Sequence, residues 1–207
     1  MILVAGGSGR LGTLLVQRLA GRGTAVRVLT RSRARASHFD SSSVEIVEGD
    51  VRVASEVQRA VAGADVVVSA IQGLAGTGGV SPASVDREGN RHLVDAAARA
   101  GATVVLVSVV GAAADSPMEL FRMKHAAEQH LRASGTAWTI VRSTAFLETW
   151  IDLLAQTADR AGRVVVFGRG NNPINFVSVN DVAAVVDRAI SMRTPAVRRS
   201  RSAGRRT

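Results

Sequence analysis

MILVAGGSGRLGTLLVQRLAGRGTAVRVLTR, residues 1–31, is the stretch that decides the fold. Met1 to Ala5 is an unbroken apolar run, which reads as a strand buried on both faces. Gly6-Gly7-Ser8-Gly9-Arg10-Leu11-Gly12 follows, with Gly6, Gly9 and Gly12 spaced three apart. Leu11, Leu14, Leu15, Val16 and Leu19 then fall at helical spacing, and Val26, Val28 and Leu29 make a second short strand. Strand, glycine turn, helix and strand in one βαβ unit is the setting in which such glycines bind a dinucleotide. Gly6 lets the strand turn sharply, Gly9 lets the backbone approach a pyrophosphate, and Gly12 lets the helix sit close on the sheet. The helix N-terminus offers N–H groups and the positive end of its dipole to the phosphates. A glycine-rich turn with no ligand is the competing reading, and the placement straight after the first strand argues against it.

The end of the second strand indicates which dinucleotide. An NAD-binding unit carries Asp or Glu there for the ribose 2′-hydroxyl. Here Thr30-Arg31-Ser32-Arg33 stands in that place, with Arg35 beyond and no carboxylate before Asp40. An arginine forks onto a 2′-phosphate, so NADP(H) is expected in preference to NAD(H). Arg31 is the first candidate for that contact, and Arg10 in the glycine turn is a second cation within reach of the same phosphate. Arg33 and Arg35 read as the solvated start of the next segment.

At 207 residues the chain is expected to form one domain over residues 1–193, with small elements on the substrate side near its end. The absence of cysteine excludes disulfides, thiol catalysis and thiolate metal sites. His38, His92, His125 and His130 are scattered without metal-ligand spacing, so no metal is expected. A strand beginning at Met1 leaves no room for a signal peptide, and the longest uncharged apolar run, 102–114, reads as strand plus loop. The expected compartment is therefore the cytoplasm, with no membrane partner. The formal charge of +9 is concentrated: Arg193, Arg198, Arg199, Arg201, Arg205 and Arg206 lie in the last fifteen residues with no acid among them. Residues 194–207 read as a disordered, solvated Arg/Ser tail; with no aromatic interleaving or recognition motif, nucleic-acid binding is not expected.

Beyond residue 31, apolar runs alternate with helical patterns. Strands are expected at 44–47, 64–70, 103–109 and 137–141, with short ones near 163–167 and 175–177. Helices are expected at 53–62, 83–100, 117–134 and 146–160, with a last one capped by Asn180 or Asp181 and running to Met192. This alternation predicts an α/β fold: a doubly wound parallel sheet, the Rossmann fold, with helices on both faces. Ligands of such sheets lie across the carboxyl ends of the strands. The candidates there are Asp50 and Val51 after the third strand, Ser69, Ala70 and Ile71 after the fourth, Ser108 after the fifth, and 142–146 after the sixth. Asp50 is placed to accept from an adenine amino group, with Val51 against the ring.

These residues resemble a family. The glycine turn, Thr30-Arg31, Gly49-Asp50 and EGNRHLVDAAARAGATVVLVS are similar to the atypical short-chain dehydrogenases, and in particular to the NmrA-like NAD(P)H-binding proteins. KHAAEQHLRASGTAWTIVRSTAFLE and NPINFVSVNDVAAVV extend the resemblance over roughly residues 1–190. It implies cofactor contacts from Gly6, Gly9, Gly12, Arg31 and Asp50; by their places in the turn, at the strand ends and on the later helix, Ser8, Arg10, Leu11, Val51, Ala70, Ile71 and Lys124 complete the expected cofactor-binding set.

One departure is informative. Conventional members of the superfamily place a tyrosine four residues before a lysine, as proton donor. This chain has no tyrosine, and Leu120 stands one turn before Lys124. That mechanism is excluded by composition. Lys124 is the only lysine in a chain with 26 basic residues, which marks it for a task that guanidinium does not perform, at a ribose hydroxyl or in proton transfer. The resemblance implies Lys124 as a catalytic candidate; Ser108, at the end of the fifth strand, is a second, placed to hydrogen-bond a substrate oxygen, and a buried hydroxyl bonded to backbone is its other reading. Two activities are expected from different classes. One is NADPH-dependent hydride transfer to a small electrophile such as a quinone or carbonyl compound. The other is a non-catalytic NADP(H) redox sensor acting through a protein partner, with a homodimer or regulatory subunit completing the pocket.

Overall fold

The computed structural model describes residues 1–39, 43–74, 78–158, 162–164, 171 and 173–193. In chain order they form β1 (Ile2–Ala5), α1 (Arg10–Gly21), β2 (Val26–Thr30), a 3₁₀ turn (Arg33–Ala36), β3 (Val44–Glu48), α2 (Ala54–Val61) and β4 (Val66–Ser69). A wide, π-type segment (Pro82–Gly89) then runs into α3 (Asn90–Ala100). β5 (Thr103–Val109), α4 (Glu119–Ala133), β6 (Trp138–Ser143), β7 (Ala145–Phe146), α5 (Leu147–Thr157), β8 (Phe176–Val177) and α6 (Val179–Arg193) complete the order.

Six strands pair in the order β3-β2-β1-β4-β5-β6, all parallel. The reversal at β1, where Ala5 stands beside both Leu29 and Ser69, creates the crevice in which doubly wound sheets bind ligands. The strands are apolar on both sides because both faces are covered. Leu3, Leu29, Val67, Val104 and Leu106 pack under α2, α3 and α4. Val4, Val28, Val68, Val105 and Val107 pack against α1 and α6, through Leu11, Leu15, Leu19, Val182, Val186 and Ile190.

The structure shifts several expected boundaries. The helix predicted from Ala83 opens instead at Pro82, behind a reciprocal cap between Ser81 and Ser84, and its first eight residues wind wider than an α-helix. That winding, continued into α3, turns Val85, Asp86, Gly89 and Asn90 inward together. Helix α4 starts at Glu119, two residues after Pro117. The cap of α6 is neither Asn180 nor Asp181: Ser178 accepts from the Asn180 N–H, and Glu148 of α5 accepts from the Ser178 hydroxyl (2.7 Å) and the Val179 N–H (2.9 Å). The pairing of β7 with β8, which brings Ala145 beside Phe176, was not expected. Most of the strand predicted at 163–167 and all of the tail 194–207 lie outside the described residues. No helix among the described residues is long and apolar enough to cross a membrane.

Candidate functional site

The site is built on the turn between β1 and α1. Gly6 adopts φ +80°, a conformation that favours glycine. It rests directly on the segment after β4: a Cβ on Gly6 would lie 2.5 Å from the Ala70 carbonyl oxygen. A Cβ on Gly12 would lie 2.2 Å from the Gly6 carbonyl oxygen and 2.6 Å from Gly7 Cα, so the helix is pressed onto the turn as its spacing predicts. Gly9 is different. A Cβ there meets only the Gly6 carbonyl oxygen, at 3.2 Å, and the residue caps α1 without a side-chain bond. No acid stands in the first turn of α1. The result is an uncapped, dipole-positive helix start behind a glycine cradle, and these residues fit the diphosphate of a dinucleotide.

Side chains around the turn tie it to neighbouring strand ends. Ser8 shares a 3.0 Å hydrogen bond with the buried Thr30 hydroxyl, so its role is to hold the turn against the end of β2. Arg31 projects from that end and is exposed, while Arg33 donates to the Ile46 carbonyl. Arg10 forms an ion pair with Asp152 of α5 instead of reaching towards Arg31. The Leu11 side chain packs in the core below the turn, which leaves only its backbone for a ligand. Val51 is also a core residue, pressed on Gly89, where a Cβ would come within 2.9 Å of it, and not an open ring contact.

Asp50 stands at the end of β3 as expected, but its carboxylate is clasped by Arg52, with Nε 3.0 Å and Nη2 2.7 Å from Oδ2. Burial pushes the Asp50 carboxyl up; hydrogen bonds and charge from Arg52, with the charge of Arg31, outweigh it and hold the group below the usual carboxylate range. Arg52 also donates to the Gly78 carbonyl (2.8 Å), which fastens the loop after β4 over this corner.

Lys124 is buried, and its ammonium is held among protein groups. Nζ lies 2.9 Å from the Ile71 carbonyl, 3.1 Å from the Val107 carbonyl and 3.0 Å from Asp86 Oδ1. Two of its three N–H donors are thus given to backbone carbonyls, and the contact with Asp86 Oδ1 is a charge pairing without hydrogen-bond geometry. The ammonium faces Asp86 and these two carbonyls here, where a ribose hydroxyl or a proton transfer is its expected task.

Two charged side chains that the motifs did not single out sit beside it. Asp86 is fully buried and its second oxygen accepts from the Gly73 N–H at 2.8 Å. Glu128, one turn after Lys124, is fully buried and receives two hydrogen bonds from Arg142 at the end of β6, at 2.9 and 2.6 Å. Burial pushes Glu128 up; bonds from Arg142 and Ser108, with the charges of Arg142 and Arg132, prevail and hold it below the usual range. The buried hydroxyl of Ser108 lies beside this carboxylate, and its oxygen makes no hydrogen bond of standard geometry among the described residues, to the backbone or otherwise. Asn90 is bonded by the Ser69 hydroxyl and donates to the Asp86 carbonyl at 2.7 Å, within its own helix.

Glu128 makes a pH prediction. A carboxyl held low in the fold adds stability above its unfolded pKa of about 4.3, and that stability is lost as pH falls through the lower folded value. Chemical denaturation of Glu128→Gln should show lower stability at neutral pH and a shallower loss between about pH 5 and 3 than the parent chain. An unchanged acid slope would remove Glu128 from this account.

The strand order, the glycine cradle and the basic end of β2 define a dinucleotide-binding α/β protein. The chain belongs to the NAD(P)H-binding family, whose model matches residues 6–193. It is 29% identical over 193 residues to the NAD(P)H azoreductase of Xenophilus azovorans, covering 92% of this chain and 63% of that one. Among solved structures, it resembles the NADPH-dependent quinone oxidoreductase of Escherichia coli complexed with NADPH, at TM-score 0.76 and 21% identity over 94% of this chain and 66% of that chain. It also resembles the Citrobacter triphenylmethane reductase complexed with NADP(H), at TM-score 0.74 and 20% identity over 94% and 66% of the two chains. The chain spans less than two-thirds of the length of curated relatives that it matches, the azoreductase among them.

Proposed function

We propose that this chain is an NADPH-dependent reductase acting on a conjugated electrophile of the quinone type. The observation that carries the choice of cofactor is the end of β2, where exposed Arg31 occupies the place of an acidic residue. The glycine turn and the start of α1 would hold the diphosphate, Arg31 the 2′-phosphate, and the loop after β3 the adenine. When bound, the nicotinamide supplies a hydride; the protein supplies binding and orientation.

Composition and the engaged Lys124 bear on the acceptor. The chain has no tyrosine, and the one lysine is committed to Asp86 and two carbonyls. An acceptor whose reduced oxygen needs no strong protein acid suits such a site. A quinone meets that condition: its reduced oxygen is less basic than an alkoxide and takes its proton from water. The similarity to an NAD(P)H azoreductase and an NADPH-dependent quinone oxidoreductase, whose names give conjugated acceptors, supports the same class.

The test is consumption of NADPH with a panel of quinones, azo dyes and simple aldehydes. Turnover with conjugated acceptors and none with aldehydes is expected; no oxidation of NADPH with any acceptor would overturn the reading. Arg31→Ala should weaken NADPH about tenfold or more, the value of one charge-assisted hydrogen bond to phosphate, and leave NADH within about twofold. Equal losses for both cofactors would remove Arg31 from the 2′-phosphate.

One observation favours the sensor reading as an alternative. Helix α5 has no buried residue and exposes Leu147, Trp150, Ile151 and Leu153, while its Asp152 holds Arg10 of the glycine turn. A partner seated on α5 would thus sense the turn. That reading requires unequal affinities for NADPH and NADP, because a ligand that binds two states equally shifts neither. Equal dissociation constants would sink it.

A further inference from the structure

The chain's single lysine and a fully buried aspartate hold three backbone groups at the floor of the cleft. Lys124 takes the Ile71 and Val107 carbonyls, and Asp86 takes the Gly73 N–H and the Lys124 ammonium. On its other side the same segment carries the glycine turn. The Ala70 N–H donates to the Ala5 carbonyl at 3.0 Å, and Gly6 lies so close to Ala70 and Ile71 that its missing Cβ would be 2.5 Å from one and 3.3 Å from the other. Gly73 is equally confined, with 2.3 Å between its missing Cβ and the Ser81 carbonyl oxygen. Residues 70–73 are thus clamped between α4 and the cofactor turn, and a shift on one side is passed to the other.

We propose that Asp86 and Lys124 are positioning residues that act as one buried strut, fixing residues 70–73 beneath the Gly6 turn and so setting the affinity for both halves of the dinucleotide. The proposal rests on the cofactor reading above. Two further facts support it. Burying two charges costs desolvation that apolar side chains of similar volume would avoid, so the pair is a poor device for stability alone. A compact ammonium reaches two carbonyls and a carboxylate at once, which the planar guanidinium used everywhere else in this chain does not.

The strut and a direct ribose contact predict different results with a truncated ligand. 2′,5′-ADP carries the adenosine half and lacks the nicotinamide ribose. The experiment measures dissociation constants for NADPH and 2′,5′-ADP in the full chain, in Lys124→Met, in Asp86→Asn and in the double variant, each checked for native circular dichroism. Both ligands should weaken by a similar factor, about tenfold, in either single variant, and the double variant should be no weaker than the worse single, as expected of residues that act together. Should Lys124→Met fail to fold, the near-isosteric Asp86→Asn gives the same reading alone. Unchanged 2′,5′-ADP binding with weakened NADPH would place Lys124 on the ribose and overturn the strut. Parental affinity for both ligands in Asp86→Asn would overturn it too. An unsubstituted chain that binds neither ligand would overturn the cofactor reading itself, a result distinct from both.

Discussion

Alanine at Gly12 is expected to abolish binding of NADPH and to destabilise the fold, whereas alanine at Gly9 should leave the fold intact and weaken only the ligand. The two positions belong to one glycine motif, but their surroundings differ. A Cβ on Gly12 would lie 2.2 Å from the Gly6 carbonyl oxygen and 2.6 Å from Gly7 Cα, and both are backbone atoms. Nothing flexible can yield, so α1 must retreat from the turn. Overpacking of that kind costs about 1–3 kcal/mol and here also widens the cradle for the diphosphate. At Gly9 the nearest atom is 3.2 Å away, so the methyl group fits the folded chain with a small adjustment and projects where a phosphate would approach. Thermal unfolding and NADPH titration of the two variants separate these effects. A Gly12→Ala protein with parental Tm and affinity would show that the helix does not need its close seat.

The contrast also shows which features can be read from sequence. The β1 turn and α1 were legible because their signals are local: an apolar run, glycines at fixed offsets and a helical period lie within 31 residues. The strands were legible for the same reason, since both faces of the sheet are covered and each strand is a plain apolar run. The side chains beneath the site were not. Asp86 and Glu128 stand in no motif that the sequence singles out. A signal for Glu128 existed. The inward stripe of α4 is Leu120, Lys124, Ala127, Glu128 and Leu131, so helical spacing alone puts two charges among apolar residues. Charged groups on a buried stripe need partners, and the chain had to supply them. The identity of the partners depends on β6 and on the π-type turns after Pro82, neither of which α4's own sequence specifies. The partner of Arg10 was not legible for a similar reason. Its place in the turn was local information, while Asp152 lies 142 residues further on.

Lys124→Met should be the most destabilising single substitution on α4, and pairing it with Asp86→Leu should restore much of the loss. Removing one member of a buried ion pair leaves the other charge without compensation, at a cost of about 3–5 kcal/mol. Asp86 is fully buried and keeps only the Gly73 N–H once the ammonium is gone. Replacing both charges by apolar groups removes that penalty, and such exchanges are often neutral. Recovery should still be incomplete here. The Ile71 and Val107 carbonyls and the Gly73 N–H all lose a partner, and each unsatisfied group costs about 1–3 kcal/mol where water cannot reach it. Urea unfolding at neutral pH checks the order: parent most stable, double variant next, Lys124→Met least. If Lys124→Met falls within about 1 kcal/mol of the parent, the pair contributes little, since a broken buried pair cannot be that cheap. The double variant then tests placement against stability, because it recovers the second without the first. A chain that folds well with apolar residues at both positions, yet holds the dinucleotide poorly, would mean that the charges were kept for where they put residues 70–73.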